Sequence, residues 1–500
     1  MKSISRLTAL LVLFALFLSA CGGTATPPPA TVPTAAPAAA EATAAPAAAE
    51  PTAAPAAAAP TAAAPAEATA APAAAEATAA PAPAASGDKT KISYWFDPPE
   101  QGTSCFVDTV IAKFNEQSKT VEVEAISTPN AWDAARTAIA GGAGPDVVET
   151  PGPSFVFELA KAGQLLPLDD YVAQYNWNQT ITPWALSLGK VEGKLYSLPD
   201  QVETLVLYYN KTLFQEKGWT PPKTIDELVA LAAQIKAAGI IPFGHANSEW
   251  RPANEWFVGE FLNHVAGPQK VYDALTGKIG WDDPDFEKAI AILNDMQQQG
   301  QFMGGLDRYY TATFAEIHAA FGEGKAAMNI EGSWFVSDIG DYFGDTANNK
   351  NDWDWVPMPS AKGDAIFDLG IGSTFSINKN TQSPDATAEF LNYYFSTDAQ
   401  AALLSACGKA PAPVALNADT LKEIDPRHAL MVETLGKAAA ANNYGYTTWT
   451  FWPPKSDVYI YEQVEKVWSK EITPKQYLEG LQKLFAEELK AGNIPPIPAR

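Results

Sequence analysis

Histidine is scarce in this sequence, and its spacing argues against a metal-dependent function. The chain has 500 residues and only four histidines. None of them follows the H-x-x-x-H or H-E-x-x-H spacing by which one helix face holds zinc. We therefore expect neither a bound metal nor a cofactor.

Basic residues are also few relative to acidic ones. The chain carries 34 Lys and Arg against 57 Asp and Glu, a formal net charge of −23. A strongly negative protein does not bind nucleic acid or anionic lipid through bulk charge. Gly322 to Lys325 reads GEGK, which lacks the length and the hydroxyl of a phosphate-binding loop.

The apolar run near the start, Leu7 to Ala20, is shorter than the ~20 residues that a membrane-spanning helix needs. It follows Lys2 and Arg6, so residues 1–20 are predicted to be a signal peptide. The run ends in L-S-A-C, which resembles the lipobox of bacterial lipoproteins. The resemblance implies that Cys21 carries lipid and anchors the protein to the outer face of the cell membrane.

Residues 21–87 consist almost entirely of Ala, Pro, Thr and Glu, and the ten-residue segment EATAAPAAAE at 41–50 recurs at 67–76. Such a segment has almost no side chains that could form a core and offset the entropy of ordering. We predict a disordered, semi-extended tether that follows the lipidated N-terminus.

The remaining residues, 88–500, exceed what one hydrophobic core usually serves, so two lobes are expected. Strand and helix patterns alternate over residues 91–148, which indicates a parallel sheet in an α/β domain. Further strand patterns at 205–210, 240–245 and 326–332 support a second α/β lobe.

Six segments in one order along the chain resemble extracellular solute-binding proteins of ABC importers, in the sugar-binding, maltose-binding-protein-like group. Any one of them alone would be a weak match, but six in order are a strong one, and the resemblance extends from about Lys89 to Glu488. The segments are AIAGGAGPDVVET (138–150), GQLLPLDDY (163–171), GKLYSLPDQVETLVLYYNKTLFQEKG (193–218), GEGKAAMNIEGSW (322–334), GIGSTFSINKNTQSPDATAEFLNYYFS (370–396) and ITPKQYLEGLQKL (472–484).

This resemblance implies a two-lobe periplasmic-binding-protein-like fold of type II, with each lobe a mostly parallel sheet flanked by helices. Lobe 1 would comprise residues 88–200 plus 368–410, and lobe 2 residues 201–367 plus 411–500. A sugar or oligosaccharide would bind in the cleft between the lobes and be delivered to the permease subunits in the membrane. The protein would be a monomer without catalytic activity.

A sugar offers apolar C–H faces and a rim of hydroxyls, so its site needs aromatic rings together with carboxylates or other hydrogen-bonding groups. Aromatic and acidic residues near strand ends and at the two predicted crossings between lobes fit this need, and glycines there would let a ligand approach the backbone. The candidate ligand-binding residues are Trp95, Asp97, Glu149, Thr150, Asp200, Glu203, Trp250, Arg251, Glu331, Trp334, Asp368, Gly370 and Trp452.

Trp334 is the most specific of these candidates, because Gly332 and Ser333 break the strand just before its ring. Trp452 is included because the resemblance places a stacking ring at its position. For every Trp the alternative is a place in the core, since most Trp side chains in α/β proteins are buried there.

If Cys21 is lipidated, Cys105 and Cys407 remain as an even pair in an oxidising compartment, where a disulfide is expected. The alternative is two buried thiols. By the layout of the family, the bond would join two distant segments within one lobe.

Two other functions remain open at the level of sequence. A secreted glycoside hydrolase would need two carboxyls about 5–5.5 Å or about 6.5–9.5 Å apart, for which Glu203 with Glu331 or Asp368 are candidates. A binding protein for a non-sugar solute, such as a peptide or a polyamine, is the other, because a cationic ligand would suit the excess of acidic residues.

Overall fold

The computed structural model describes residues 89–97, 104–245, 247–248, 253–308, 310–416, 419–441, 443–498 and 500. Residues 83–500 form one compact unit. The predicted signal peptide, Cys21 and the tether lie outside the described residues. No helix in the described part of the chain is both long and apolar enough to cross a membrane.

Twelve strands are found in the described residues. They are β1 (Thr90–Phe96), β2 (Val121–Ser127), β3 (Val147–Thr150), β4 (Lys190–Val191), β5 (Lys194–Leu195), β6 (Ser197–Glu203), β7 (Leu205–Asn210), β8 (Ile241–Gly244), β9 (Ala326–Gly332), β10 (Trp353–Pro357), β11 (Asp368–Ile377) and β12 (Gly445–Tyr446).

The helices surround the sheets. They are α1 (Ala112–Gln117), α2 (Ala131–Ala140), α3 (Pro153–Lys161), α4 (Asp169–Tyr175), α5 (Trp177–Thr180), α6 (Pro183–Leu188), α7 (Lys211–Lys217), α8 (Ile225–Ala237), α9 (Ala253–Phe261), α10 (Pro268–Leu275), α11 (Pro284–Gln298), α12 (Phe314–Gly322), α13 (Pro384–Tyr394), α14 (Thr397–Cys407), α15 (Pro426–Ala440), α16 (Thr448–Phe451), α17 (Pro454–Trp468) and α18 (Pro474–Lys490). Short π-helical segments (Val107–Ile111, Leu262–Ala266) and 3₁₀ turns (Ser333–Ser337, Ile339–Asp341, Thr420–Lys422) complete the set.

Two main sheets organise the fold. The first has the strand order β12-β11-β3-β1-β2, with β6 also paired to β11, and the second has the order β10-β7-β9-β8. The largest apolar cluster contains residues of both sheets, among them Leu207 of β7 and Ile371 of β11, and two further clusters flank the first sheet. In the first sheet the neighbours Val147 and Val148 point to separate clusters on opposite faces, as the period of two along a strand requires.

Both sheets are mixed. Three of the five strand pairs in the first sheet are parallel, as expected, whereas in the second sheet only β8 and β9 are parallel, which corrects the expectation there. Strand β1 is parallel to β2 and β3, but β11 is antiparallel to β3 and β6. In the second sheet β7 is antiparallel to both β9 and β10. Every antiparallel pair in these two sheets includes β7 or β11, the strands that follow the two changes of sheet.

The change of sheet occurs at Thr204, the single residue between β6 and β7. Thr204 is fully buried, and its carbonyl accepts a hydrogen bond from the Ser333 backbone N–H at 2.8 Å. Because Leu205 pairs with Gly332, the end of β9 lies directly beside this crossing.

Local sequence signals account for many helix boundaries. Thr224 and Thr473 each begin a helix with a capping box. The Asp283 side chain caps α11 by accepting the Asp285 backbone N–H. Ser383 precedes Pro384 at the start of α13 but makes no side-chain capping hydrogen bond.

The structure contains the expected disulfide between Cys105 and Cys407, whose Cα atoms are 5.8 Å apart. It joins the first helical segment to the end of α14 across a sequence separation of 302 residues. Both segments pack on the same face of the first sheet, since Val110 and Leu403 belong to one apolar cluster.

Replacing both cysteines by alanine should lower the free energy of unfolding by about 2–4 kcal/mol, because the disulfide restricts the conformational entropy of the unfolded chain and its removal restores that entropy. Urea unfolding followed by tryptophan fluorescence measures the change. The same protein compared with and without reducing agent is the control, and identical unfolding midpoints in the two conditions would contradict a stabilising disulfide.

Candidate functional site

An aromatic cavity lies at the end of β9. At Gly332 the strand gives way to the 3₁₀ turn Ser333–Ser337, which brings the indole of Trp334 back over the backbone. A Cβ atom at residue 332 would overlap the six-membered ring of Trp334. Glycine is therefore required at this position by close approach, and the ring is held beside the strand end instead of in the sheet.

The cavity has a volume of about 320 Å³. The rings of Phe314, Trp334 and Tyr342 are half-buried, so part of each faces the open space. Its lining residues are Trp256, Phe314, His318, Glu331, Trp334, Phe335, Asp338 and Tyr342.

The rings contact one another and form a continuous apolar wall. The ring centroid of Trp334 lies 5.1 Å from that of Trp256 and 6.0 Å from that of Trp449. Trp256 in turn stacks on Phe314, with centroids 6.1 Å apart and planes inclined by 26°. Aromatic contacts at these distances fix ring orientation, so the wall is preorganised.

Glu331 supplies the polar centre of the cavity. Its Oε1 accepts a hydrogen bond from Trp334 Nε1 at 3.2 Å, and its Oε2 accepts one from Asn329 Nδ2 at 3.2 Å. His318 Nε2 lies 3.3 Å from the same Oε2 atom. A carboxylate has about four acceptor positions, so these contacts orient Glu331 and leave capacity for a ligand hydroxyl.

A second polar group lies within the first sheet and includes the candidates Asp200, Glu203 and Glu149. Asp200 is fully buried and forms an ion pair with Lys409, whose Nζ lies 3.0 Å from Oδ2. The Tyr394 hydroxyl donates to Asp200 Oδ1 at 2.8 Å. The carboxylate of Asp200 is therefore occupied by partners from its own domain.

Burial raises the pKa of Glu149, while the positive charge of Lys409 and a hydrogen bond from the Tyr94 hydroxyl oppose that rise. Burial raises the pKa of Glu203 to about 8, and the charge of Asp200 adds to the effect. The Glu203 carboxyl lies so close to Gly372 that a Cβ there would overlap it.

Several other candidates serve local structure. Asp97 Oδ1 accepts the Ala131 backbone N–H at 3.0 Å and so caps α2. The Thr150 hydroxyl lies 2.5 Å from that of Thr374 inside the first sheet. Trp95 is half-buried and packs against the apolar cluster that contains Val148 of β3 and Ile139 of α2.

Two candidates are enclosed by the segment that follows β12. Gly370 is in β11, where a Cβ atom would overlap the Thr447 hydroxyl. Trp452 is only 1% exposed, and its ring centroid lies 4.3 Å from that of Trp281 in the core of the second sheet. We therefore do not retain Trp452 as a stacking ring. Trp250 and Arg251 lie outside the described residues.

Asp368, at the start of β11, is also fully buried, in a cluster with Glu260 and His264. His264 Nε2 lies 3.2 Å from Glu260 Oε2 and 3.5 Å from Asp368 Oδ1. Burial lowers the pKa of His264, but the two carboxyls outweigh burial and raise it to about 10. Burial raises the pKa of Glu260 to about 8, with the charge of Asp368 adding to the rise.

The candidate list lacks six residues that line the cavity: Trp256, Phe314, His318, Phe335, Asp338 and Tyr342. Phe314 and His318 are four residues apart on α12 and therefore share one helix face. That spacing was a usable signal, but it does not distinguish a face that meets the core from one that meets a cavity.

The chain belongs to the family of bacterial extracellular solute-binding proteins, whose sequence profile matches residues 106–401. It is 27% identical over 268 residues to the multiple sugar-binding protein of Streptococcus mutans, a match that covers 50% of this chain and 59% of that protein. It is 23% identical over 376 residues to the sn-glycerol-3-phosphate-binding periplasmic protein of Rhizobium meliloti, covering 70% of this chain and 83% of that one.

The chain spans about half of the length of the first curated relatives that it matches. Similar solved structures cover a larger share of this chain than these relatives do. A chitin oligosaccharide binding protein superposes with a TM-score of 0.65 at 21% identity, covering 80% of this chain and 99% of that protein. The likeness establishes the predicted α/β, type II periplasmic-binding-protein fold.

The raised pKa of Glu203 predicts a pH-dependent stability. In the folded chain the carboxyl stays protonated up to about pH 8, whereas in the unfolded chain it ionises near its ordinary pKa of 4.5. Its favourable contribution is thus complete below pH 4.5 and is lost as the pH rises to about 8. A Glu203→Gln variant should gain stability over the natural protein across this window, by on the order of a few kcal/mol.

Urea unfolding of both proteins at several pH values measures this difference. Glu158→Gln, which changes an exposed glutamate on α3, is the matched control and should show no such trend. Parallel stability curves for the natural protein and Glu203→Gln would contradict the assigned protonation state.

Proposed function

We propose that this protein captures a sugar or an oligosaccharide outside the cell membrane and delivers it to the permease of an ABC importer. The observation that carries the proposal is the cavity at the end of β9, in which Trp334 lies beside the carboxylate of Glu331. Family membership supports the binding role, and the cavity supports the ligand class.

The cavity matches the chemistry of a sugar ring. Trp334 and Phe314 present partly exposed ring faces, on which the C–H face of a pyranose can pack with little loss of side-chain entropy. Glu331 and Asp338 supply carboxylates for the hydroxyl rim. Rings and carboxylates side by side are the combination that a polyhydroxylated ligand needs.

The same lining disfavours a phosphate ester. Among the described residues that line the cavity none is Lys or Arg, whereas two are acidic. An anionic ligand would be repelled by Glu331 and Asp338, and no Lys or Arg among these described lining residues would offset the repulsion. The ligand class named for the Rhizobium meliloti relative therefore does not suit this cavity.

Two lobes would close over the ligand. We assign residues 88–200 plus 368–410 to lobe 1 and residues 201–367 plus 411–500 to lobe 2. Position supports this assignment, because the cavity adjoins the crossing at Thr204, where one sheet passes directly into the other. A ligand that contacts both lobes favours the closed form by its differential affinity, and the permease would recognise that form.

We further propose that Cys21 carries the lipid that anchors the protein to the outer face of the membrane, that residues 21–87 act as a tether, and that the protein is a monomer. The support is the L-S-A-C sequence and the Ala- and Pro-rich composition that follows it. Two or more acyl chains hold a protein stably at a membrane, where a single chain does not.

Calorimetry with a panel of mono- to tetrasaccharides should find at least one ligand, and Trp334→Ala should weaken its binding by about tenfold or more, or about 1.4 kcal/mol. The loss follows from removing the half-buried ring face beside Glu331. Trp219→Ala is the matched control, because Trp219 is also partly buried but packs on Phe214 instead of lining the cavity.

Equal affinities of Trp334→Ala and the natural protein would overturn the site. A ligand found only among polyamines or peptides would overturn the sugar assignment. Hydrolysis of the bound oligosaccharide, followed by product analysis, would point to a glycoside hydrolase instead of a binding protein.

A further inference from the structure

Glu260, His264 and Asp368 form a compact cluster, and none of the three is among the residues that line the aromatic cavity. Glu260 is near the end of α9, His264 is in the π-helical segment that follows, and Asp368 is the first residue of β11. Glu260 is 0% exposed, and His264 and Asp368 are each 1% exposed. The cluster therefore brings two carboxyl groups and an imidazole together in the interior.

Hydrogen bonding does not account for this burial. Both oxygens of Glu260, both oxygens of Asp368 and both ring nitrogens of His264 lack a hydrogen bond of good geometry among the described residues, although His264 Nε2 lies within ion-pair distance of both carboxyl groups. A buried polar group without a partner costs free energy comparable to a lost hydrogen bond, and a buried charge costs more. Six such atoms at one place call for a ligand that contacts several of them at once.

The separations of the donor atoms suit a shared metal ion. His264 Nε2 lies 3.2 Å from Glu260 Oε2 and 3.5 Å from Asp368 Oδ1. Two ligand atoms about 2.1 Å from one tetrahedral zinc ion are about 3.4 Å apart. One ligand atom from each of the three residues lies within 4.8 Å of the others, so a single ion can reach all three.

Surrounding contacts hold the three residues in place. Asn263, next to His264, accepts the Tyr446 backbone N–H and donates to the Tyr446 carbonyl, each at 3.0 Å. The His264 carbonyl accepts the Ala361 N–H at 2.8 Å. Gly445, which pairs with Asp368, could not carry a Cβ atom without overlapping Asp368 Oδ1. The cluster is thus held by two further segments, Gly445–Tyr446 and the one at Ala361.

We propose that Glu260, His264 and Asp368 bind a divalent transition-metal ion, with Zn²⁺ as the best match. The sequence showed no zinc motif because the third ligand comes from more than one hundred residues further along the chain.

The ligand set selects the class of ion. One imidazole nitrogen with two carboxylate oxygens suits zinc or a neighbouring transition metal, while calcium and magnesium prefer oxygen ligands alone. Two carboxylates and a neutral imidazole also balance the charge of a divalent cation, which lowers the cost of burying the acids.

The position of the site gives the ion a structural role. Asp368 begins the strand that enters the first sheet, whereas α9 packs with the core of the second. An ion bound here would join the start of β11 to α9 and hold the segment at the second crossing in place. Its three ligands are not among the residues that line the aromatic cavity, so it would act on folding and hinge geometry instead of contacting the sugar.

Metal content after refolding tests the site. The untagged natural protein, refolded with Zn²⁺ and desalted, should retain about one zinc per chain by mass spectrometry. Glu260→Gln and His264→Ala should lose most of it. Glu255→Gln is the matched control, since Glu255 is a second buried carboxyl on α9 that is not in the cluster; it should retain the metal.

A second measurement covers variants that fail to fold. The natural protein refolded with Co²⁺ should show the visible absorption of a four-coordinate site, and Zn²⁺ should raise its melting temperature where Mg²⁺ does not. Substoichiometric zinc, a cobalt spectrum of the hydrated ion, or equal zinc in Glu260→Gln and Glu255→Gln would each overturn the proposal. The cluster would then be a proton-sharing triad held by the charges of its own residues.

Discussion

The structure depends on the direct passage of β6 into β7 across one buried residue, Thr204. Because no helix intervenes, the backbone of a single extended segment belongs to two sheets. The hydrogen bond from the Ser333 N–H to the Thr204 carbonyl then fixes the end of β9 at that passage. Beside the passage β7 pairs antiparallel with β9, and β6 pairs antiparallel with β11.

The aromatic cavity is a consequence of this arrangement. Where β9 stops beside the crossing, the 3₁₀ turn Ser333–Ser337 must leave the sheet, and Gly332 gives the Trp334 ring room to fold back. Glu331, the last side chain before the turn, then points into the same space and orients the indole through its carboxylate. A site built on the end of a strand is held by the sheet and needs no long loop to form it.

Sequence reasoning succeeded where the signal is local. A short stretch of sequence is enough to predict the β9 strand, the helix over residues 131–140 and the capping box at Thr224. It failed where tertiary contact decides. The local sequence around Trp452 does not show whether its ring faces a ligand or Trp281. Strand directions likewise depend on connections that no local pattern encodes. The cavity candidates Glu331 and Trp334 were found because a strand break is itself a local feature.

The buried acids give the crossings their register. Asp200 on β6 and Asp368 on β11 both lie on strands at a change of sheet, and each faces a group that can be cationic, Lys409 or His264. Buried ion pairs are poor evidence for stability, but they disfavour other strand registers, in which the charges would be left unpaired. A slip of β6 by one residue would turn Asp200 to the opposite face of the sheet and leave both charges unpaired. The polar groups in this interior are therefore best understood as setting strand alignment at the points where the two halves of the fold are joined.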